Sequence, residues 1–194
     1  VTVDSSDDIC NPLEAVFGKD TAKGIITLSG GSDGNISEVT AGTFIGVDNG
    51  PGNRTGIQAF IENDNVSMLA VPGITMPDVI VSLVAHCENL KSRFAVIDMP
   101  RDCAKTKELI EYREMIDSTY AAMYHPWIQN FDRSTQKAGY FPPSGAIMGI
   151  YARTDIARGV HKAPANETVM CSDLNINFNK GEQDILNPAG VNLI

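Results

Sequence analysis

The chain has 194 residues, of which 43% are hydrophobic and 20% charged, and its formal net charge is −9. This length suits one domain with a core of its own. Its scattered lysines and arginines form no basic stripe, which argues against nucleic-acid binding, and no apolar run approaches the roughly 20 residues of a membrane span. The N-terminus "VTVDSSDDIC" also lacks the order of a signal peptide.

The first predicted elements lie before residue 66. The segments "GIITLSGGSDGN" (24–35) and "VTAGTFIGVD" (39–48) predict strands, because β-branched residues recur in them between glycines. The segment "RTGIQAFIEN" (54–63) predicts a short helix.

Three apolar runs in the middle of the chain each end at a proline. They are "VSMLAVP" (66–72), "RFAVIDMP" (93–100) and "TYAAMYHP" (119–126). Because proline cannot donate a ladder hydrogen bond, each run predicts a strand that stops there. Strands that are apolar throughout are typical of a parallel sheet covered on both faces.

Two segments with helical spacing lie between these strands. They are "MPDVIVSLVAHCENLK" (76–91), which opens with a proline suited to a first turn, and "AKTKELIEYREMID" (104–117). Alternating strands and helices require crossover connections between parallel strands. The predicted fold class is therefore α/β: a parallel-rich sheet with a βαβαβ core, helices on both faces and extra strands at both ends, in a single domain over residues 1–194.

The segment "FPPSGAIMGIYARTDIARGVHKAPANE" (141–167) predicts a further helix. Its inward face is predicted to carry Ile147, Ile150 and Tyr151. Two glycines four residues apart, Gly145 and Gly149, would let another backbone come close.

Three charged residues of that helix are the candidate site residues, and they are predicted to stay exposed: Arg153, Asp155 and Arg158. Two interpretations stay open at this point. The residues form either a solvated helix face or a contact between subunits.

The last part of the chain predicts two more strands, "DLNINFN" (173–179) and "GVNLI" (190–194), with "KGEQDILNPA" (180–189) as a polar loop between them.

The stretch "GGSDG" (30–34) matches G-x-S-x-G and follows a predicted strand. A nucleophile elbow requires a helix directly after the serine, whereas a turn and a strand are predicted here. A glycine-rich turn is therefore favoured. The alternative is a small α/β serine hydrolase with Ser32 as nucleophile and His125 or His161 as base.

Asp98 ends an apolar strand. In nucleotide-hydrolysing proteins, an acidic residue at the end of such a strand holds the nucleotide-bound magnesium. Such an acid also needs a phosphate loop, G-x-x-x-x-G-K followed by Ser or Thr. The stretch "LEAVFGKD" does not match it, because Leu13 stands in place of the first glycine and Asp20 in place of the Ser or Thr. Asp98 is instead predicted to accept hydrogen bonds from loop amides or to cap the turn into the next helix.

The remaining chemically active residues predict no metal site and no cofactor. The three histidines are far apart, no carboxylate pair suits a shared metal, and the four cysteines form no C-x-x-C motif. We expect reduced thiols, a core position for His86 and a packed ring for Trp127.

Several motifs together resemble the tail sheath proteins of contractile bacteriophages, a family that extends to contractile pyocins and related injection particles. They are "LSGGSDG", "LAVPG", "RFAVIDMP", "YHPWI", "PPSGAIMGIYARTDIARGVHKAPANE" and "LNPAGVN". The likeness covers nearly all of the chain from about residue 24.

The resemblance implies a structural subunit that stacks in helical rings around an inner tube, with no catalytic duty. Contraction would drive the tube through a target envelope without nucleotide hydrolysis. The implied partners are other copies of the chain, the inner tail tube protein, and the baseplate and tail terminator proteins, with no direct nucleic-acid contact and no membrane insertion. The implied location is the virion tail sheath, assembled in the bacterial host cytoplasm.

Family members usually begin with an N-terminal arm and continue beyond the "NPAGVN" region into a C-terminal domain. The chain is therefore expected to be a core fragment. A third hypothesis is a carbohydrate- or receptor-binding module on a particle surface. It requires an exposed aromatic cluster, which an aromatic content of 7% does not obviously supply.

Overall fold

A computed structural model gives the fold, and it describes residues 30–31, 34–35 and 38–194. The residues Val39–Ile194 form one compact unit. Within this described part no helix is both long enough and apolar enough to cross a membrane. The strand predicted over 24–35 lies mostly outside the described residues.

Helices and strands alternate through the middle of this unit, as predicted. The elements are α1 (Ala41–Ile45), a 3-10 helix (Gly56–Glu62), β1 (Met68–Leu69), α2 (Pro77–Leu90), β2 (Phe94–Asp98), α3 (Thr106–Arg113), β3 (Ala121–His125), β4 (Ile128–Asp132), β5 (Lys137–Phe141), α4 (Ser144–Arg158), β6 (Asp173–Leu174), α5 (Lys180–Leu186) and β7 (Val191–Leu193).

A four-stranded parallel sheet with the order β1-β2-β3-β7 forms the centre. Ala95 pairs with Leu69 on one side and with Ala121 on the other, which puts the three proline-terminated runs side by side. The fourth strand, β7, pairs with β3 through Met123 and Val191. The three predicted strands and the strand at the end of the chain are confirmed.

Helices cover both faces of this sheet. On β2, Ala95 and Ile97 pack in a cluster with residues of α2, α3 and α5, whereas Val96 between them packs with Ile147 and Ile150 of α4. Successive side chains of a strand point to opposite faces, so α4 lies on one face and α2, α3 and α5 lie on the other. The α/β fold with helices on both faces is confirmed.

Two predictions for short segments were wrong. The predicted strand over 39–48 contains α1, which begins after Thr40, where a capping box joins Thr40 and Thr43. The predicted polar loop over 180–189 contains α5, whose N-cap Asn179 accepts from the Glu182 amide at 3.0 Å, while Asn179 donates its own amide to the Glu182 carboxylate at 2.8 Å. Such reciprocal caps stabilise the first turn of a short helix.

A second, antiparallel sheet has the order β5-β4-β6 and was not predicted. Its hairpin joins β4 to β5 through a turn in which Asp132 accepts from the amide and the hydroxyl of Ser134, at 2.8 and 2.6 Å. Its strands are only partly buried, so they lack the apolar runs of the central sheet. The strand predicted over 173–179 is reduced to β6, which pairs with the start of β4.

The buried guanidinium of Arg93 holds the 3-10 helix against the core. It donates to the carbonyls of Phe60 and Asn63 at 2.7 and 3.0 Å, and its Nη1 lies 3.3 Å from Nε2 of His86. Arg93 and His86 are 4% and 5% exposed, respectively. The predicted core position of His86 and the short helix near residue 58 are confirmed.

Candidate functional site

Several motifs that carry the family resemblance meet at the carboxyl edge of the parallel sheet. The carboxylate of Asp98, at the end of β2, accepts from the Gly73 amide at 3.1 Å and from the Ser144 amide and hydroxyl at 2.8 and 2.7 Å. Gly73 follows β1 and Ser144 begins α4. One side chain thus joins the ends of two strands to the start of a helix 46 residues further along the chain.

This arrangement uses Asp98 as a structural acceptor. The residue is 2% exposed, and both carboxylate oxygens are engaged by donors of the chain itself. Burial raises the pKa of Asp98, while the hydrogen bonds from Ser144 and Gly73 oppose that rise. The amide at the helix start also favours a negative charge there. The prediction that Asp98 satisfies amides is confirmed, but the helix it caps is α4 rather than the next one, α3.

Trp127 packs at the same edge. Its indole donates to the Met99 carbonyl at 2.9 Å, and its backbone amide donates to the side chain of Asn175 at 2.8 Å. Gly73 has a φ of +75°, and a Cβ on it would lie 3.4 Å from the indole. The predicted packed ring is confirmed, and the ring fixes the turn after β1 to the start of β4.

The residues proposed for a hydrolase do not form a site among the described residues. Ser32 lies outside them. His125 is 0% exposed and its ring lies 5.5 Å from that of Phe178. Burial lowers the pKa of His125 to about 4, while the Cys103 backbone acts in the opposite direction. His161 is exposed after α4, and no metal-binding cluster of His, Cys, Asp and Glu occurs in the described part of the chain.

The last turn of α4 is exposed, whereas Thr154 just before it is buried. The residues that were predicted to face inward are buried or half-buried, and the three candidate residues Arg153, Asp155 and Arg158 are exposed. Ile156 lies among these three and is 88% exposed. The charged candidates therefore lie at an exposed helix end that also carries an exposed apolar side chain.

One of the three candidates has an ion-pair partner within the chain. Arg153 lies 3.0 Å from a carboxylate oxygen of Glu167, and both side chains remain partly exposed. Asp155 and Arg158 take part in no ion pair among the described residues. Two of the three candidate residues therefore have no ion-pair partner in the described part of the chain.

Gly145 and Gly149 are exposed on α4, and a Cβ on either would have no neighbour within 4 Å in the described part of the chain. The close approach that the sequence predicted is therefore not made by a described backbone of this chain. Glycine in a helix costs about 1 kcal/mol relative to alanine.

A groove of about 670 Å³ lies between α4, the strands β3 and β7 and the segment over 163–171. The hydroxyls of Tyr124 and Tyr151 meet on its wall at 2.5 Å. Burial raises the pKa of both phenols, so both stay protonated and neutral near pH 7.

Sequence reasoning missed the exposed apolar side chains near the end of α4. Ile156 and Val160 are 88% and 84% exposed. A signal was present, because Ile156 lies nine residues after Ile147 and nine residues turn a helix by about half a revolution. The partner of Arg153, Glu167, carried no such signal, since it lies in an irregular segment.

Comparison with known proteins places this geometry among sheath proteins. The family model for the phage tail sheath protein central domain matches residues 49–194. A putative prophage major tail sheath protein of Pseudomonas aeruginosa (strain UCBPP-PA14) is 24% identical over 161 residues, which cover 80% of this chain and 41% of that protein. Among solved structures, the sheath complex of the extracellular contractile injection system PVC, in its contracted state, is 27% identical with a TM-score of 0.58.

That structural match covers 72% of this chain and 40% of the PVC chain. The chain therefore spans about two fifths of the length of these relatives, 41% and 40% respectively.

Proposed function

The chain belongs to the phage tail sheath protein family, and from this we propose that it is a structural, non-enzymatic subunit of a contractile tail sheath. The observation that carries the proposal is the unbroken match of residues 49–194 to the central domain of that family. Residues 39–194 would act as the α/β core of the subunit, within a single domain that includes the residues before them.

The proposed mechanism is helical polymerisation around an inner tube, followed by contraction without nucleotide hydrolysis. Such a machine needs two arrangements of the same subunits, separated by a barrier, between which contacts are exchanged. We expect the central sheet and α4 of each subunit to stay together while these contacts change. The Asp98 carboxylate and the Trp127 ring support this expectation, because they tie α4 and the turns at the carboxyl edge to the central sheet.

The exposed end of α4 is the proposed contact between copies. Its three charged residues are accessible: Arg153, Asp155 and Arg158. Complementary charges contribute more to the specificity and the rate of association than to affinity. Polar contacts therefore suit surfaces that must separate and join again. The proposed partners beyond other copies are the inner tail tube protein, the baseplate and the tail terminator protein. The proposed location is the tail sheath of the particle, after assembly in the host cytoplasm.

Immunogold labelling of purified particles tests the proposal. An antibody raised against residues 39–194 is expected to decorate the tail along its whole length in electron micrographs. Labelling confined to the head, the baseplate or the fibres would contradict it. A serine-reactive fluorophosphonate probe tests the hydrolase alternative separately, and we expect no labelling of Ser32.

A further inference from the structure

Arg93 is a buried cation that has no carboxylate partner among the described residues. Its hydrogen-bond partners are two backbone carbonyls, those of Phe60 and Asn63, and the ring of His86. Its Nε is buried without a partner in the described part of the chain. Burying a charge that has no charged partner costs free energy unless the charge is hydrogen-bonded. The position of the Arg93 guanidinium therefore depends on these hydrogen bonds.

The contact between Arg93 and His86 fixes the protonation state of the histidine. A guanidinium has only donors, so Nε2 of His86 at 3.3 Å must act as the acceptor, and the ring must be neutral with its proton on Nδ1. Protonation of His86 would remove that acceptor. It would also place a second positive charge 3.3 Å from the first, in a site with little access to water.

Few other charged groups lie on the elements around this pair. On α2, the neighbours of His86 are the buried Cys87 and the exposed Glu88. On the 3-10 helix, Glu62 is engaged by Arg54 and by the Gly52 amide. Asp64 is exposed in the loop that follows, and α1 and β1 carry no titratable residue. No carboxylate therefore pairs with a protonated His86 in the described structure.

The same guanidinium anchors one segment of the fold. Phe60 lies in the 3-10 helix and Asn63 is its C-cap, so the two carbonyls that Arg93 binds lie at the end of that helix, where they also accept from the backbone amides of Asn63 and Val66 at 3.1 and 3.3 Å. Ile57 is the one buried residue of this helix, and Glu62 connects it to Arg54 and Gly52 of the preceding loop rather than to α2 or β2. Displacement of Arg93 would release the end of the helix.

We propose that His86 and Arg93 form an acid-sensitive latch, in which protonation of His86 displaces the guanidinium and frees the 3-10 helix Gly56–Glu62 from the core. Burial, with the charge of Arg93 adding to it, lowers the pKa of His86. The closed state therefore binds fewer protons than the open one, and the latch weakens as the pH falls below the ordinary histidine pKa of about 6.5. This behaviour belongs to the single chain and does not depend on sheath assembly.

Hydrogen exchange followed by mass spectrometry tests the latch. Protection of the backbone amides over 56–65, corrected for intrinsic exchange, is expected to fall roughly three- to tenfold between pH 7 and pH 5.5. Protection of β2, which is lost through opening of the whole fold, is measured beside it, because the buried His125 gives the whole fold an acid sensitivity of its own. No change over 56–65 would overturn the proposal.

Variants separate the latch from general acid sensitivity. His86→Gln offers an amide oxygen to Arg93 and does not titrate, so protection over 56–65 should become independent of pH. His161→Gln, at an exposed histidine, is the matched control and should behave like the wild type. An H86Q protein that keeps the wild-type pH dependence refutes the latch.

A second measurement covers the case in which H86Q does not fold. The ring of His86 can be titrated by NMR in the wild-type protein. A pKa below the ordinary histidine value of about 6.5 supports the latch, and a pKa equal to it or above it overturns the latch.

Discussion

Ser144 and Asp98 are 46 positions apart in the sequence, yet Ser144 donates both its amide and its hydroxyl to the Asp98 carboxylate, at 2.8 and 2.7 Å. The pair connects the start of α4 with the end of β2, so the helix that carries the exposed charges is anchored at its base.

Ser144→Ala is expected to lower the free energy of unfolding by about 1–3 kcal/mol, because it removes a hydrogen bond to a buried charged acceptor. Urea unfolding followed by circular dichroism measures the change. Ser92→Ala, at an exposed position between α2 and β2, is the control and should change stability by less than about 0.5 kcal/mol. Equal effects of the two variants would show that the Asp98 anchor contributes little.

His125 predicts a loss of stability in acid. Burial lowers its pKa to about 4, whereas the unfolded chain titrates near 6.5. The unfolded state then binds more protons between these values, so stability falls as the pH drops from about 6.5 to 4, by about 3 kcal/mol in all. The raised pKa of Asp98 acts in the opposite direction in acid.

Urea unfolding at a series of pH values and an NMR titration of His125 measure this effect together. An NMR pKa of His125 close to 6.5 would contradict the prediction, whatever the unfolding curves show.

Charge reversal at the end of α4 is expected to separate folding from assembly. The triple variant Arg153→Glu, Asp155→Arg and Arg158→Glu should fold, with a free energy of unfolding within about 1 kcal/mol of the wild type, because exposed ion pairs contribute little. Assembly of the complete gene product, measured by sedimentation, should fail or change with salt. Arg133→Glu, in the exposed turn between β4 and β5, is the matched control.

If the triple variant assembles and contracts like the wild type, these three residues lie outside the contact between copies.

The two exposed glycines of α4 predict effects of opposite sign on folding and on assembly. Gly145→Ala and Gly149→Ala should each raise the free energy of unfolding by about 0.5–1 kcal/mol, because alanine favours the helix and the space around each is open. If another copy packs against this face, both variants should assemble less well.

Glu111→Gly provides the comparison for the glycine variants, since it weakens α3, on the other face of the sheet, at an exposed position and should leave assembly unchanged. Unaltered assembly of the two alanine variants would place the contact elsewhere.

The parallel sheet was predictable from the sequence because its strands are buried on both faces. Continuous apolar runs that end at prolines identify such strands, and helical spacing identifies α2 and α4 between and after them. The antiparallel sheet has no such signal, since β4 and β5 are short, partly exposed and polar in places.

The candidate site was predictable only in part. The exposure of Arg153, Asp155 and Arg158 follows from helical spacing, but the bond between Asp98 and Ser144 depends on how distant segments pack, which local patterns do not encode. The helix α5 did have a local signal, the capping box of Asn179 and Glu182. Because most residues of the segment over 180–189 are polar, it was predicted as a loop instead.

The central claim is that the chain is a sheath subunit, and negative-stain electron microscopy of the complete gene product tests it most directly. The concentrated protein, alone and beside residues 1–194 under identical conditions, is examined over a range of salt concentrations. Tubes or stacked rings from the complete product are the predicted result. Monomers at every salt and protein concentration would contradict the claim.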